Sequence, residues 1–182
     1  MHYLKFPKVK AGLRMANHGN ALARVWVVGD YIVTGHFMLP VQNLAASDRA
    51  KAIDTATLLV ALGINTDAYP APNSEACAKA GPDFVSQIEK TACNRYSATR
   101  LFASYDSDMC RLYRCDETGK WTAFRVKYLE AIGEPDTLYM SDPKKAATDD
   151  PLASVPCVIM PHATDHLEAL LNSEPASVAV AA

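Results

Sequence analysis

From Thr99 onward the apolar residues recur at every second position, and this change of period limits the folds open to the chain more than any other feature. Residues 100–105, 109–115 and 121–126 read as three strands. The last two are joined by Asp116-Glu117-Thr118-Gly119-Lys120, a hairpin loop with its glycine near the end. A second strand cluster precedes them. Residues 23–28 and 31–39 are rich in β-branched and aromatic side chains and flank Gly29-Asp30, a two-residue turn with glycine first. Pro40 ends the second of these strands by removing a ladder donor.

Helices fill the space between the clusters. Ser47 is the predicted N-cap of a helix that carries Ala52, Ile53, Ala56, Leu59 and Val60 at helical spacing up to Gly63. Residues 65–74 form a loop by their Pro, Asn and Asp content. After the break at Gly81-Pro82, a second helix places Phe84, Val85, Ile88 and Ala92 on its apolar side. Residues 127–132 form a short helix stopped by Gly133. Strands at 137–140 and 155–160 follow, separated by a polar, proline-bearing loop. Thr164 caps a last helix with Leu167, Leu170 and Leu171 on one face. The order predicts an α+β fold, a mainly antiparallel sheet with two principal helices. The expected organisation is a basic N-terminal arm over 1–22, a single domain over 23–172 and a frayed tail over 173–182.

Composition narrows the function classes. Hydrophobic residues make up 49% and charged residues 21% of the 182, which excludes disorder of the whole chain. No run of about 18 apolar residues offers a membrane span. The first residues lack the apolar stretch of a signal peptide. The five cysteines, Cys77, Cys93, Cys110, Cys115 and Cys157, are odd in number and irregularly spaced, so reduced thiols in a cytoplasm are the simplest expectation. Residues 1–29 hold Lys5, Lys8, Lys10, Arg14 and Arg24 and no acid, which leaves 13 bases and 20 acids for the rest. A basic arm on an acidic body suits phosphate contact, that of double-stranded DNA included, or simple solvation.

Motifs with chemistry are sparse. His162-Ala-Thr-Asp-His166 sets two imidazoles at i and i+4, and Cys110 and Cys115 are candidate sulfur ligands beside them. The glutamate of a zinc protease is absent after His162. His36 is placed mid-strand with no local partner to make it a general base. Asp106, Asp108 and Asp116 flank turns, where aspartate bonds to backbone. There is no phosphate-cradling glycine loop and no nucleophile elbow. The residues therefore point to a binding module and not to an enzyme, with neither metal nor cofactor expected. Two alternatives stay open: a small metal-dependent enzyme built on His162 and His166, and an interaction protein on an unrelated α+β fold.

One stretch resembles a known family. Phe-Arg-Val-Lys-Tyr-Leu-Glu-Ala-Ile-Gly from 124, Thr-Leu-Tyr-Met-Ser-Asp-Pro from 137, and Val-Pro-Cys-Val-Ile-Met-Pro from 155 are similar to the end of the last domain of bacterial DNA polymerase sliding clamps. Ile-Val-Thr-Gly-His-Phe at 32–37 resembles a strand that recurs in those domains and in small virus-encoded relatives, without its Asp and Arg. The resemblance implies a clamp-type domain in DNA replication, with helices on one face of sheets that pair edge to edge into oligomers. It also implies that Val158, Met160 and Pro161 line an apolar groove for a partner's peptide motif. Lys5, Lys8, Lys10, Arg14 and Arg24 are the residues expected at nucleic acid.

Overall fold

The computed structural model describes residues 3–17, 25–64, 94–105, 108–142, 145–148, 157–161 and 179–180. It forms an antiparallel sheet with helices on one face, the α+β class that the strand and helix order predicts. The helices are α1 (Phe6–Asn17), α2 (Ala46–Arg49), α3 (Thr55–Leu62) and α4 (Val126–Ala131). The strands are β1 (Val25–Val28), β2 (Tyr31–Thr34), β3 (Phe37–Pro40), β4 (Asn94–Tyr105), β5 (Asp108–Cys115), β6 (Trp121–Arg125), β7 (Thr137–Asp142), β8 (Lys145–Ala147), β9 (Val158–Ile159) and β10 (Ala179–Val180). Across the sheet they run β1-β2-β3-β9-β8-β7-β4-β5-β6, with β10 paired to the far half of β4. None of the described helices is long and apolar enough to cross a membrane.

The principal core lies between the sheet and the helices. Alternation along each strand sends one set of side chains there: Ile32, Leu39, Tyr113, Phe124, Leu138 and Ile159. The helices supply Phe6, Val9, Leu13, Leu58, Leu62 and Leu129. Each such aliphatic or aromatic side chain contributes about 1.5–3 kcal/mol by leaving water. The opposite face holds two smaller apolar groups, Met38-Ala147-Val158 and Cys110-Leu112-Ala123.

Four expectations are corrected. The segment read as a basic arm contains α1, a twelve-residue helix seated in the core. Its Phe6, Val9, Leu13 and Ala16 recur at spacings of three and four and are all buried, so burial outweighs the charge of the exposed side. Gly12 lets α1 approach α4 closely, since a Cβ there would lie 2.7 Å from Ala131 Cβ.

The expected strand 31–39 is a hairpin. Ile32 pairs with Leu39 and Val33 with Met38, so the chain reverses at Gly35-His36. Thr34 fastens the turn: its Oγ1 accepts from the backbone N–H of His36 at 3.0 Å and of Phe37 at 2.9 Å, and donates to the Phe37 carbonyl at 2.9 Å. His36 is thus a turn residue.

The expected helix from Ser47 is broken in two. Its first part passes into a 3-10 turn, Ala50–Ala52, and Asp54 then adopts an extended conformation (φ −152°, ψ 168°) as the N-cap of α3. Its carboxylate accepts from Thr57 N–H at 2.7 Å. The break rotates the apolar face. Leu58, Leu59 and Leu62 are buried, whereas Ile53 and Val60 face water. Gly63 closes α3 in the left-handed region (φ 71°), as its position predicts. Thr55 turns back to β1, accepting from Val27 N–H at 2.9 Å and lying 3.5 Å from the Val27 carbonyl.

Finally, the tail read as frayed supplies β10, where Ala179 pairs with Phe102 and Val180 with Leu101. The helices expected after Pro82 and Thr164 lie outside the described residues. The β5–β6 hairpin, the short helix at α4 and the strand at β7 stand where the sequence puts them.

Candidate functional site

Strand β9 is clasped from both sides. Phe37 and Met38 pair with Ile159 and Val158 on one side, Ala146 and Ala147 on the other. Thr148 N–H donates to the Cys157 carbonyl at 2.9 Å, and the Thr148 hydroxyl accepts from Cys157 N–H at 2.9 Å. Beyond the strand, Met160 N–H donates to the His36 carbonyl at 2.8 Å. This ladder fixes where each side chain goes. Val158 is 1% exposed and packs with Met38 and Ala147, so its side chain is core on the face of the sheet away from the helices. Met160 and Pro161 are half-buried and form the accessible rim.

His36, whose carbonyl takes the Met160 N–H, belongs to an aromatic group. The His36 ring stacks on Tyr128 with centroids 5.0 Å apart and planes 16° from parallel, and Phe37 meets Tyr128 at 5.5 Å. Tyr128 comes from α4, and its hydroxyl accepts from Arg125 Nη1 at 3.4 Å. Arg125 in turn pairs with Asp108 at 3.0 Å. Burial raises the Tyr128 phenol above its ordinary range, the Arg125 guanidinium pulling the other way. Neighbouring Cys110 is pushed up to about 11 by burial, so its thiol stays protonated and weakly nucleophilic. Phe37 and Tyr128 are themselves buried, so what the arrangement leaves accessible is the half-buried His36, Met160 and Pro161, a small apolar edge suited to contact with another protein. Sequence reasoning picked out the β9 end but missed Tyr128, Arg125 and Asp108. The available signal was the aromatic residue that opens the helix after β6.

The expected nucleic-acid residues have other engagements. Lys8 pairs with Glu130 of α4, which also meets Lys127 at 3.3 Å. The Lys8 hydrogen bond is the chief reason that Glu130 stays below the usual carboxylate range, and the same bond raises Lys8. Lys10 Nζ donates to the Ala61 carbonyl at 2.6 Å and Arg14 Nε to the Leu62 carbonyl at 2.8 Å. Two cations therefore cap the negative end of α3, where the last carbonyls have no helical partner. Lys5 is exposed at the start of α1, and Arg24 lies outside the described residues.

The metal alternative loses its sulfur ligands. Cys110 and Cys115 are five residues apart on one strand and point to opposite faces of the sheet. His162 and His166 lie outside the described residues, among which no group of three or more His, Cys, Asp or Glu side chains could hold a metal. Comparison with protein-family models, curated proteins and solved structures finds no match to this chain.

Proposed function

We propose that this chain is a non-catalytic binding module similar to one domain of a DNA sliding clamp, acting through a protein partner at the Met160-Pro161 rim. One observation carries the reading. From β6 the chain passes through α4, β7, β8 and β9 and emerges at Met160-Pro161, where the Met160 N–H bonds to the His36 carbonyl. A strand, a short helix, a strand with a variable loop and an apolar strand ending in Met-Pro is the order that the family resemblance implies, with β8 in the place of the loop. The antiparallel sheet with helices on one face is compatible with it.

The partner is a protein more than a nucleic acid. Phosphate binding needs cations whose counterions can be released, and Lys8, Lys10 and Arg14 are committed to Glu130 and to the end of α3. The rim, by contrast, presents Met160, Pro161 and His36 to a leucine or phenylalanine side chain.

Two measurements test this. A fluorescent, uncharged peptide with a Leu-Phe pair is titrated against the protein, where Met160→Ala is expected to weaken binding about fivefold or more. Mass by light scattering is then measured with nicked circular and with linear duplex DNA. The expected outcome is the same mass in both. Retention on circles alone would replace the protein reading by encirclement of DNA. Failure to bind peptide or DNA of either form would end the clamp-like proposal.

A further inference from the structure

Strand β4 changes neighbours halfway along. Asn94, Arg95, Tyr96 and Ser97 pair with Met140, Tyr139, Leu138 and Thr137 of β7, and the Ala98 N–H donates to the Asp136 carbonyl at 2.8 Å. Thr137 is the first residue of β7, so β4 runs on from Thr99 without that neighbour. The β4–β5 register also shifts between Ala98 and Phe102, as at a bulge, and resumes at Phe102–Arg111. Thr99 and Arg111 fasten the shift. The Thr99 hydroxyl donates to the Leu112 carbonyl at 2.8 Å and accepts from Leu101 N–H at 3.1 Å, while Arg111 Nε donates to the Thr99 carbonyl at 3.0 Å.

The second half of β4 is therefore an edge within the sheet. Among the described residues its outer side is taken by β10 alone, with Ala179 opposite Phe102 and Val180 opposite Leu101. Left bare, such an edge presents backbone N–H and carbonyl groups that need partners. The bonds that shape it come from Thr99, Arg111, Leu112 and Asp136, and none comes from residues 179–180. The seat is thus complete without its occupant. β10 in turn lies off the main strand path, so its departure opens no gap between two other strands.

Every copy of the chain carries a segment that fits this seat. Ser177-Val178-Ala179-Val180-Ala181 alternates β-branched with small residues, a pattern suited to an extended edge. The 17 residues from 162 to 178 separate it from Pro161 and can span up to roughly 60 Å. Reach does not confine the segment to its own chain.

We infer that copies of this chain associate by exchanging β10: residues 179–180 of one copy pair with Leu101 and Phe102 of a second, and the reverse. The two seats are then identical, and the contact closes on itself as a two-fold dimer. Each copy keeps in trans the pairing that it has in cis, so the exchange loses no ladder bond and depends on concentration. The inference stands apart from the Met160 rim and from what binds there.

The test measures mass by light scattering on the full chain at about 10 µM and about 1 mM, before and after refolding from urea at the higher concentration. A dimer is expected at the higher concentration and after refolding. Ala179→Pro/Val180→Pro removes whichever ladder donor faces β4 and so empties the seat. The monomer survives that loss and the exchanged dimer does not, so the dimer is expected to vanish. A far-ultraviolet circular dichroism spectrum matching that of the unaltered chain checks that the variant folds. A second arm needs no variant. A peptide of residues 174–182, Glu-Pro-Ala-Ser-Val-Ala-Val-Ala-Ala, present in excess while the unaltered chain refolds, is expected to keep it monomeric. The same peptide N-methylated at the positions of Ala179 and Val180 cannot donate to β4 and is expected to let the dimer form. A monomer under every condition overturns the inference. A dimer that the proline variant retains, or that forms equally with either peptide present, does so too. Binding of the labelled peptide to the proline variant while the unaltered chain stays monomeric also overturns exchange, and assigns the seat to the chain's own strand.

Discussion

Gly12 offers the most direct test of how the N-terminal helix is held. A Cβ added there would lie 2.7 Å from Ala131 Cβ, 3.1 Å from the Lys127 carbonyl oxygen and 3.4 Å from Phe37 Cζ. Non-bonded carbons rest at about 3.5–4.0 Å, so Gly12→Ala must part α1 from α4 by about 1 Å. Overpacking of this kind costs about 1–3 kcal/mol. Alanine returns about 1 kcal/mol through its better helix propensity. The expected net loss is up to about 2 kcal/mol, which for a chain of this size lowers the thermal midpoint by up to about 8 °C. Urea unfolding followed by far-ultraviolet circular dichroism measures it. The companion variant Ala131→Gly removes the opposing methyl, so Gly12→Ala/Ala131→Gly should lose about 1–2 kcal/mol less than the sum of the two single changes. A stabilising Gly12→Ala, or strict additivity in the cycle, would refute the close seating of α1 on α4.

Three further outcomes are expected. Thr34→Val deletes the hydroxyl that serves three backbone partners in the β2–β3 turn, costing about 2–3 kcal/mol; amide exchange at Phe37 and Met160 should accelerate with it. Asp54 titrates below its ordinary value because its carboxylate accepts from Thr57. Its stabilising effect is therefore complete above the unfolded carboxylate pKa of about 3.9 and is lost as the pH falls through the lower folded value; Asp54→Ala should flatten the stability profile there while Asp54→Asn keeps the cap at every pH. Cys110, fully buried with its thiol at about 11, should resist iodoacetamide at pH 8 in the native protein and react on unfolding, as peptide mass spectrometry would show.

The parts of the fold that were legible in the sequence are those in which local signals agree with one another. The β5–β6 hairpin has alternating strands around a glycine-bearing loop, and Gly119 there takes φ 71°. Gly63 and Gly133 stop their helices with positive φ for the same reason. The errors arise where a tertiary partner decides. Nothing in Lys145-Ala-Ala favours a strand, yet β8 forms because β7 and β9 stand on either side of it. Thr34-Gly35-His36 reads equally as strand or turn until Thr34 has backbone groups to bond. The arm was misread because its cations were counted, although Phe6, Val9, Leu13 and Ala16 already gave a helical apolar stripe. Of the candidate site, the β9 end was legible from its apolar run. The burial of Val158 beneath it depends on Met38 and Ala147, which are distant in sequence.

The Thr55 hydroxyl against Val27 has a consequence for assembly. β1 is the last strand on its side of the sheet, and Val27 is a residue whose N–H and carbonyl point outward, as its bonding to Thr55 shows. Free outward groups on a terminal strand would template the addition of another strand. Here one hydroxyl occupies both groups at the middle of a four-residue strand. At the other end of the path, β6 has Thr122, Ala123 and Phe124 all buried. At β1, then, the described residues lack the continuous free backbone register that sheet extension requires. A copy adding a strand at β1 would first have to displace the Thr55 hydroxyl from Val27, so the helix that follows the break at Asp54 guards the margin of the sheet.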